Sequence, residues 1–364
     1  MQRYRDFHHF IAQKKKKLYV CSSNCENRLH NMAPKFLIIR FSSIGDIIQC
    51  MGIIGGIKKH FPHATIHWVT RQDMAPILAI DDRIDQIWPF DKREGLSGLL
   101  HLARRLKKEE YDYIYDAHSN IRSNILKLCL RSYMWGKPSI VVRSKERWKR
   151  FLLFRLGINR FPKPFRGRIS FQKPLEKWGI TYFPELYRFW QFPSDFPQKF
   201  DSLIMPKTVT IIPSANWEMK RWPVSCWQQL IRLSPQYHFL ILAGPQDTFC
   251  ENIRNAAPER VTNLAGQTSL LESCYLVFRS HAVVSADTGF LHAADLFQIP
   301  ALALMGPTAF GYPSGHSVRI LESPLPCRPC TKDGHGKCKQ PIYQLCMLNL
   351  TPEQVAHQLH QLLP

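Results

Sequence analysis

The sequence has no apolar stretch approaching the ~18–20 residues that a membrane-spanning helix needs, and its N-terminus lacks the apolar core of a signal peptide. It has no G-x-G-x-x-G turn, which counts against a nicotinamide-dependent oxidoreductase, and no G-x-x-x-x-G-K-[ST] loop of a phosphate-cradling ATPase. No recognisable RNA- or DNA-binding module is present, so nucleic acid is the weaker choice of partner. Acid is scarce: 28 Asp and Glu stand against 49 Lys and Arg, a formal charge of +21 with a pI near 9.7. A surface this basic attracts anionic membrane or an acidic substrate. The expectation is a soluble, cytoplasmic protein that reaches an anionic membrane face.

What is present points to two packed domains. The chain has 364 residues, 45% hydrophobic and 12% aromatic, enough for two cores and unlike a disordered chain. Residues 1–33 differ from the rest: seven basic residues, two acidic ones and no apolar period. They read as a flexible basic leader able to touch anionic lipid; equally, Met32 can be the true start, since folding signals begin at Pro34. Seven of the eleven cysteines are scattered, several within apolar runs, and read as small core residues. Cys327, Cys330, Cys338 and Cys346 cluster late. Such a set can ligate zinc, but the spacing after Cys330 is irregular, and a structural loop is the preferred reading. A disulfide also stays open.

Strand-like and helix-like runs alternate. In the first half, 36–40, 65–70, 84–90 and 111–116 read as strands, and 47–60, 72–80, 96–108 and 121–130 as helices. Prolines and aromatics break the pattern over 160–207, and the interdomain linker falls near the end of that stretch. A second series follows, with strands at 209–212, 238–242, 281–285 and 301–305, and helices at 224–233, 251–257 and 269–279. Thr351-Pro352-Glu353-Gln354 opens an amphipathic terminal helix with a hydroxyl cap and a proline at its first position. Alternation of this kind gives parallel sheets covered by helices on both faces, an α/β fold. The domains are expected at 34–200 and 201–350, followed by the helix 351–364. Doubly wound sheets bind ligands at the carboxyl ends of their strands, so two facing domains would share one cleft.

The motifs fall at those strand ends. Ser285 to Asp295 joins an apolar strand to a helix, with Asp287, Thr288 and Gly289 at the turn and His292 one turn on. Unpaired N–H groups and the helix dipole suit a phosphate there, and glycine allows close approach. A capping Asp287 and a core His292 are the plainer alternative. Phe41-Ser42-Ser43-Ile44-Gly45-Asp46 follows the first strand, and Asp46 either caps the helix or takes a proton from an attacking hydroxyl. Lys220, in the loop that opens the second half, is either an ordinary surface lysine or a point charge for a leaving diphosphate. Arg71 and Arg122 sit at first-domain strand ends and are assigned to acceptor anions, against the alternative of solvated arginines. The basic run Arg143, Lys145, Arg147, Lys149 and Arg150 reads as a membrane-facing or solvated helix face.

Phe41-Ser-Ser-Ile-Gly-Asp46, Lys220-Arg-Trp-Pro223, Ala243-Gly-Pro245, Asn263 to Leu270, Asp287-Thr-Gly-Phe-Leu-His-Ala-Ala294 and Met305-Gly-Pro-Thr308, in this order, resemble glycosyltransferase family 9, the lipopolysaccharide heptosyltransferases. The resemblance runs from Pro34 to the C-terminus. It implies a GT-B fold, two facing Rossmann-like domains with a terminal helix that often crosses back. It also implies inverting transfer from ADP-L-glycero-D-manno-heptose to the lipid A-linked inner core at the inner membrane's cytoplasmic face, with no cofactor and no catalytic metal. By resemblance Asp46 is the catalytic base, and Lys220 contacts the donor phosphates. Asp287, Thr288, Gly289 and His292 bind the nucleotide sugar, and Thr268 meets the adenosine portion. Asn216 takes a donor-side position that usually bears a hydroxyl. Another nucleotide sugar, a protein acceptor, or a non-catalytic nucleotide-binding protein of the same fold are the alternatives.

Overall fold

Short apolar runs such as Leu37-Ile38-Ile39 and Ala301 to Met305 carry the two cores, because a strand buried on both faces must be apolar throughout rather than alternating. The computed structural model describes residues 33–131, 138–184 and 190–364; the expected basic leader, Ala33 apart, lies outside the described residues. The first sheet contains β1 (Lys35–Ile39), β2 (Thr65–Arg71), β3 (Gln86–Phe90), β4 (Tyr113–Asp116) and β5 (Ser139–Val142), in the order β3-β2-β1-β4-β5 with every pair parallel. The second contains β6 (Thr208–Ile212), β7 (His238–Ile241), β8 (Val261–Asn263), β9 (Ala282–Ala286), β10 (Ala301–Met305) and β11 (Val318–Glu322), in the order β11-β10-β9-β6-β7-β8, again all parallel. The α/β reading therefore holds in both halves.

Three strands escaped the sequence reading, and all lie at sheet edges: β5, β8 and β11. β8 is only three residues, β11 carries Arg319 and Glu322, and β5, though Ile140-Val141-Val142 is apolar, is four residues long with both ends exposed. The helix expected over 47–60 is two helices, Ile44–Met51 and Ile54–His60, broken at Gly52. A Cβ on Gly52 would stand 2.6 Å from the Arg168 side chain, so the break accommodates a close crossing. The expected helix over 72–80 is a 3-10 turn followed by one short helix, Ala75–Leu78.

The two halves share apolar material. A single buried cluster runs from Phe36, Ile47 and Trp68 in the first half to Leu276, Val283 and Leu291 in the second. The segment after β5 bridges them: helix Gly167–Gln172 packs on helix Ile44–Met51, and Phe196–Phe200 packs on helix Leu270–Arg279. The terminal helix, Pro352–Leu362, carries the capping box that its opening residues predicted. Among the described residues it packs on the second half: Val355, Ala356 and Leu359 are buried in that core against helix Val224–Arg232 and β10. Its apolar stripe matches that core, so burial is satisfied locally.

Trp227 sits at the centre of this second core, fully buried and edge-on to Trp222 at 4.9 Å. Its indole nitrogen has no hydrogen-bond partner. Trp227→Ala is expected to cost about 3–5 kcal/mol in denaturant unfolding. Trp227→Phe should cost distinctly less, since it removes no hydrogen bond.

Candidate active site

In each sheet the strand order reverses at one place, between β1 and β4 and between β6 and β9, and ligands bind at the carboxyl ends beside such a reversal. The loop after β1 leads into helix Ile44–Met51, and the loop after β9 into helix Gly289–Phe297. These two helices pack on each other with their first turns in contact. A Cβ on Gly289 would stand 2.4 Å from Ile44 Cγ2, and one on Gly45 would stand 3.0 Å from the His292 ring and 3.2 Å from Gly289 Cα. Both glycines are therefore required by the approach of one helix to the other. Gly289, expected from the sequence to allow close approach of a ligand, thus also serves the packing of one helix on the other.

Asp46 lies in the first turn of its helix, its side chain 36% exposed. Arg40, at the end of β1, places Nη2 2.5 Å from Asp46 Oδ2 and donates from Nη1 to the Ala117 carbonyl at 2.7 Å. Ser43 Oγ donates to Asp46 Oδ2 at 3.0 Å. Arg143 Nη1 stands 3.9 Å from Oδ1, its guanidinium laid over the Phe171 ring at 3.6 Å. Burial pushes the Asp46 carboxyl up, but Arg40, Arg143, Ser43 and His292 together outweigh it and hold it below the ordinary aspartate value. Nearby, burial first, then Arg40 and Lys145, push the His118 imidazole down to about 4, so this ring is neutral at pH 7.

On the opposite wall Asp287 is buried. Its Oδ2 lies 3.0 Å from Lys220 Nζ and accepts from Thr308 Oγ1 at 2.6 Å. Burial raises its pKa, yet Lys220, Thr308 and His292 hold it below the usual value. His292 is buried with Nδ1 unpartnered, between this carboxylate and Asp46; burial lowers its pKa against the pull of Asp287, Asp295 and Asp46. Thr288 caps the helix without a side-chain bond to it and meets Ser285 Oγ at 3.1 Å. The late cysteine loop rests on this wall: Gly334 approaches the Lys220 methylenes so closely that a Cβ would stand 2.6 Å away, and His335 packs on Trp217 at 4.4 Å. Among the described residues the cysteines are free thiols, and no group of three or more His, Cys, Asp and Glu stands ready to hold a metal ion.

The structure brings Asp46, Lys220, Asp287, Thr288, Gly289 and His292 to one place. Asn216 lies exposed on the loop after β6. Thr268 lies after edge strand β8, and its hydroxyl pairs with Ser273 at 2.8 Å. Arg71 forks onto Asp73, and Arg122 is exposed on the first turn of its helix; neither has a contact with Asp46. Arg143 corrects the reading of the 143–150 run as one basic face: it follows β5, is 14% exposed and turns toward Asp46. Arg40, Thr308 and Asp247 were missed. Asp247 ties together the loops after β6 and β7, accepting from Ser214 Oγ at 2.5 Å and Gly244 N at 2.9 Å and lying 3.3 Å from Arg221. Arg40, set beside the Ser-Ser-Ile-Gly-Asp run, and Thr308, which ends the Met305-Gly-Pro-Thr run, carried a signal within their own sequence neighbourhoods; Asp247 did not.

Two facing parallel α/β units with one cleft at their strand ends define a GT-B glycosyltransferase architecture. The sequence profile of glycosyltransferase family 9 (heptosyltransferase) matches residues 99–339, and the chain belongs to this family. It is 24% identical to the lipopolysaccharide core heptosyltransferase OpsX of Haemophilus influenzae over 76% of this chain and 80% of that protein. It is also 24% identical to lipopolysaccharide heptosyltransferase 1 of Pseudomonas aeruginosa over 90% and 98%. The solved ADP-heptose lps heptosyltransferase II of Escherichia coli superposes with a TM-score of 0.68 at 19% identity, covering 90% of this chain and 98% of that one.

Because Asp46 is held low, its carboxylate contributes stability and stays ionised above the ordinary aspartate value, and both are lost as pH falls through its folded-state value. The Asp46 carboxylate is therefore expected to titrate below the ordinary aspartate range, and Arg40→Met should move its titration upward in a pH-dependent NMR or stability measurement. Gly289→Ala, by pushing on Ile44, is expected to cost about 1–3 kcal/mol in thermal or chemical unfolding.

Proposed function

We propose that this glycosyltransferase moves heptose from ADP-L-glycero-D-manno-heptose to the lipid A-linked inner core of lipopolysaccharide, inverting the anomeric centre. The observation that carries the reading is the meeting of Asp46, from one sheet, with the Lys220–Asp287–His292 group of the other. The names of the relatives, lipopolysaccharide core heptosyltransferase and ADP-heptose lps heptosyltransferase II, support the donor and the acceptor.

Asp46 takes the proton of the acceptor hydroxyl as that oxygen bonds to the anomeric carbon. The carbon–oxygen bond to the diphosphate breaks, and ADP leaves with the electron pair. Lys220 Nζ, held by Asp287, is aimed at that growing charge, and the N–H groups at the start of helix Gly289–Phe297 add to it. Asp46 is a weak base while Arg40 and Arg143 hold it, so the proton moves late in bond formation, when the bonding hydroxyl has become acidic. Residues 34–200 take the acceptor and 201–350 the donor, with Thr268 and Asn216 toward the nucleoside. Arg71 and Arg122 reach acceptor anions from the rim. The enzyme works at the cytoplasmic face of the inner membrane, which agrees with its charge of +21 and with the absence, among the described residues, of a helix long and apolar enough to cross a membrane.

Asp46→Ala is expected to lower kcat by about 10²–10⁴-fold while leaving ADP affinity by calorimetry nearly intact; retained turnover would make Asp46 a helix cap only. Melting temperature should rise with ADP and ADP-heptose and stay unmoved by UDP-sugars and NAD. A rise with UDP-sugars alone would overturn the donor.

A further inference from the structure

Helix Arg147–Leu156 has two unlike faces. Inward, Leu153 is buried with Phe161 and Ala309, Phe154 meets Phe310 edge-on at 6.0 Å, and the Arg150 guanidinium lies 4.5 Å above the same ring. This face fastens the helix to the second half of the molecule. Outward, Trp148 is 69% exposed and Phe151 49%, their rings stacked on each other at 5.6 Å. Two further large apolar side chains are open at the end of this helix: Leu156, its last residue, 58% exposed, and Ile158, just past Gly157, 44% exposed.

A stacked Trp–Phe pair open to water contributes little to the core, and contiguous exposed apolar surface marks a contact site. The charge around it says with what. From Arg143 to Leu175 the sequence holds eleven Lys and Arg and a single acid, Glu146, which is paired with Lys149 at 3.0 Å. Arg147, Arg155, Arg160 and Lys163 are exposed in the same segment. A second copy of this chain would meet it with like charge. Aromatic rings flanked by arginine and lysine suit the boundary between headgroups and acyl chains of an anionic bilayer, where the rings lie at the interface and the cations meet lipid phosphates. The helix also stands next to the chemistry, since Arg143, four residues before it, reaches to 3.9 Å from Asp46.

We propose that Trp148, Phe151, Leu156 and Ile158 form the surface that seats this enzyme on an anionic bilayer, with the cleft opening beside it so that a lipid-anchored acceptor enters next to Asp46. The docking surface stands on these residues alone; its link to the acceptor rests on the reading given under Proposed function.

The test is co-sedimentation of the full chain with phosphatidylethanolamine vesicles, with and without phosphatidylglycerol. The wild type is expected to bind the phosphatidylglycerol vesicles. Trp148→Gln with Phe151→Gln should lower that partition by about tenfold or more with an unchanged melting temperature, and Leu156→Gln with Ile158→Gln serves if the first pair fails to fold. The Trp148/Phe151 variant should also raise KM for acceptor embedded in vesicles while leaving kcat/KM unchanged for a delipidated, water-soluble acceptor. Equal vesicle binding by wild type and variants, equal binding to vesicles lacking phosphatidylglycerol, or loss of self-association in place of lipid binding would each overturn the proposal. Absence of turnover with both acceptors would sink the substrate reading, while the vesicle partition would still decide the docking surface.

Discussion

Two helix N-termini meet where Gly45 and Gly289 touch, and the arrangement of the site follows from that contact. The positive ends of two helix dipoles converge there, a placement that needs negative charge nearby. The chain supplies it with Asp46 on one side and Asp287 on the other, and the anionic groups of a diphosphate donor would add to it. Glycine at both contact points lets the helices approach closely enough for His292, on the second helix, to lie against the first. A side chain at either point would separate the walls and with them the carboxylate and the lysine.

Each acid at this junction comes with its own cations. Asp46 is flanked by Arg40 and Arg143, and Asp287 by Lys220 and the Thr308 hydroxyl. Burying a carboxylate is costly unless a partner and hydrogen bonds offset it, which explains why both acids stay ionised despite their surroundings. The same pairing sets their chemistry. Arg40 and Arg143 weaken Asp46 as a base, whereas Asp287 holds the Lys220 ammonium group in place and offsets part of its charge. The late cysteine loop, packed on the Lys220 methylenes through Gly334, holds that side chain from its other side.

Central strands were legible because burial on both faces demands unbroken apolar runs: Leu37-Ile38-Ile39, Val283-Val284 and Ala301 to Met305 have no other plausible use. Edge strands β5, β8 and β11 were not, because half of their surface is free of that demand. The break at Gly52 was hidden for a related reason, since it answers to Arg168, over a hundred residues away. In the site, Asp46, Lys220, Asp287 and His292 could be read because each follows a strand end at a fixed offset. Arg143 could not: its neighbours Lys145, Arg147 and Lys149 made it look like one more solvated cation, and only the fold turns it inward over Phe171.

The sequence by itself determined the alternation of strands and helices, the parallel sheets that this requires, and the loops at which ligands must sit, because these depend on local periodicity and on residues a few positions apart. Tertiary structure decided which of those loops face one another, which arginines reach Asp46, that the terminal helix stays on the second core, and which side of the Trp148 helix is left open. Those outcomes depend mostly on contacts between residues far apart in the chain, such as Gly45 with Gly289 and Arg143 with Asp46, whose energies are fixed by packing and electrostatics across the folded molecule rather than by any local pattern.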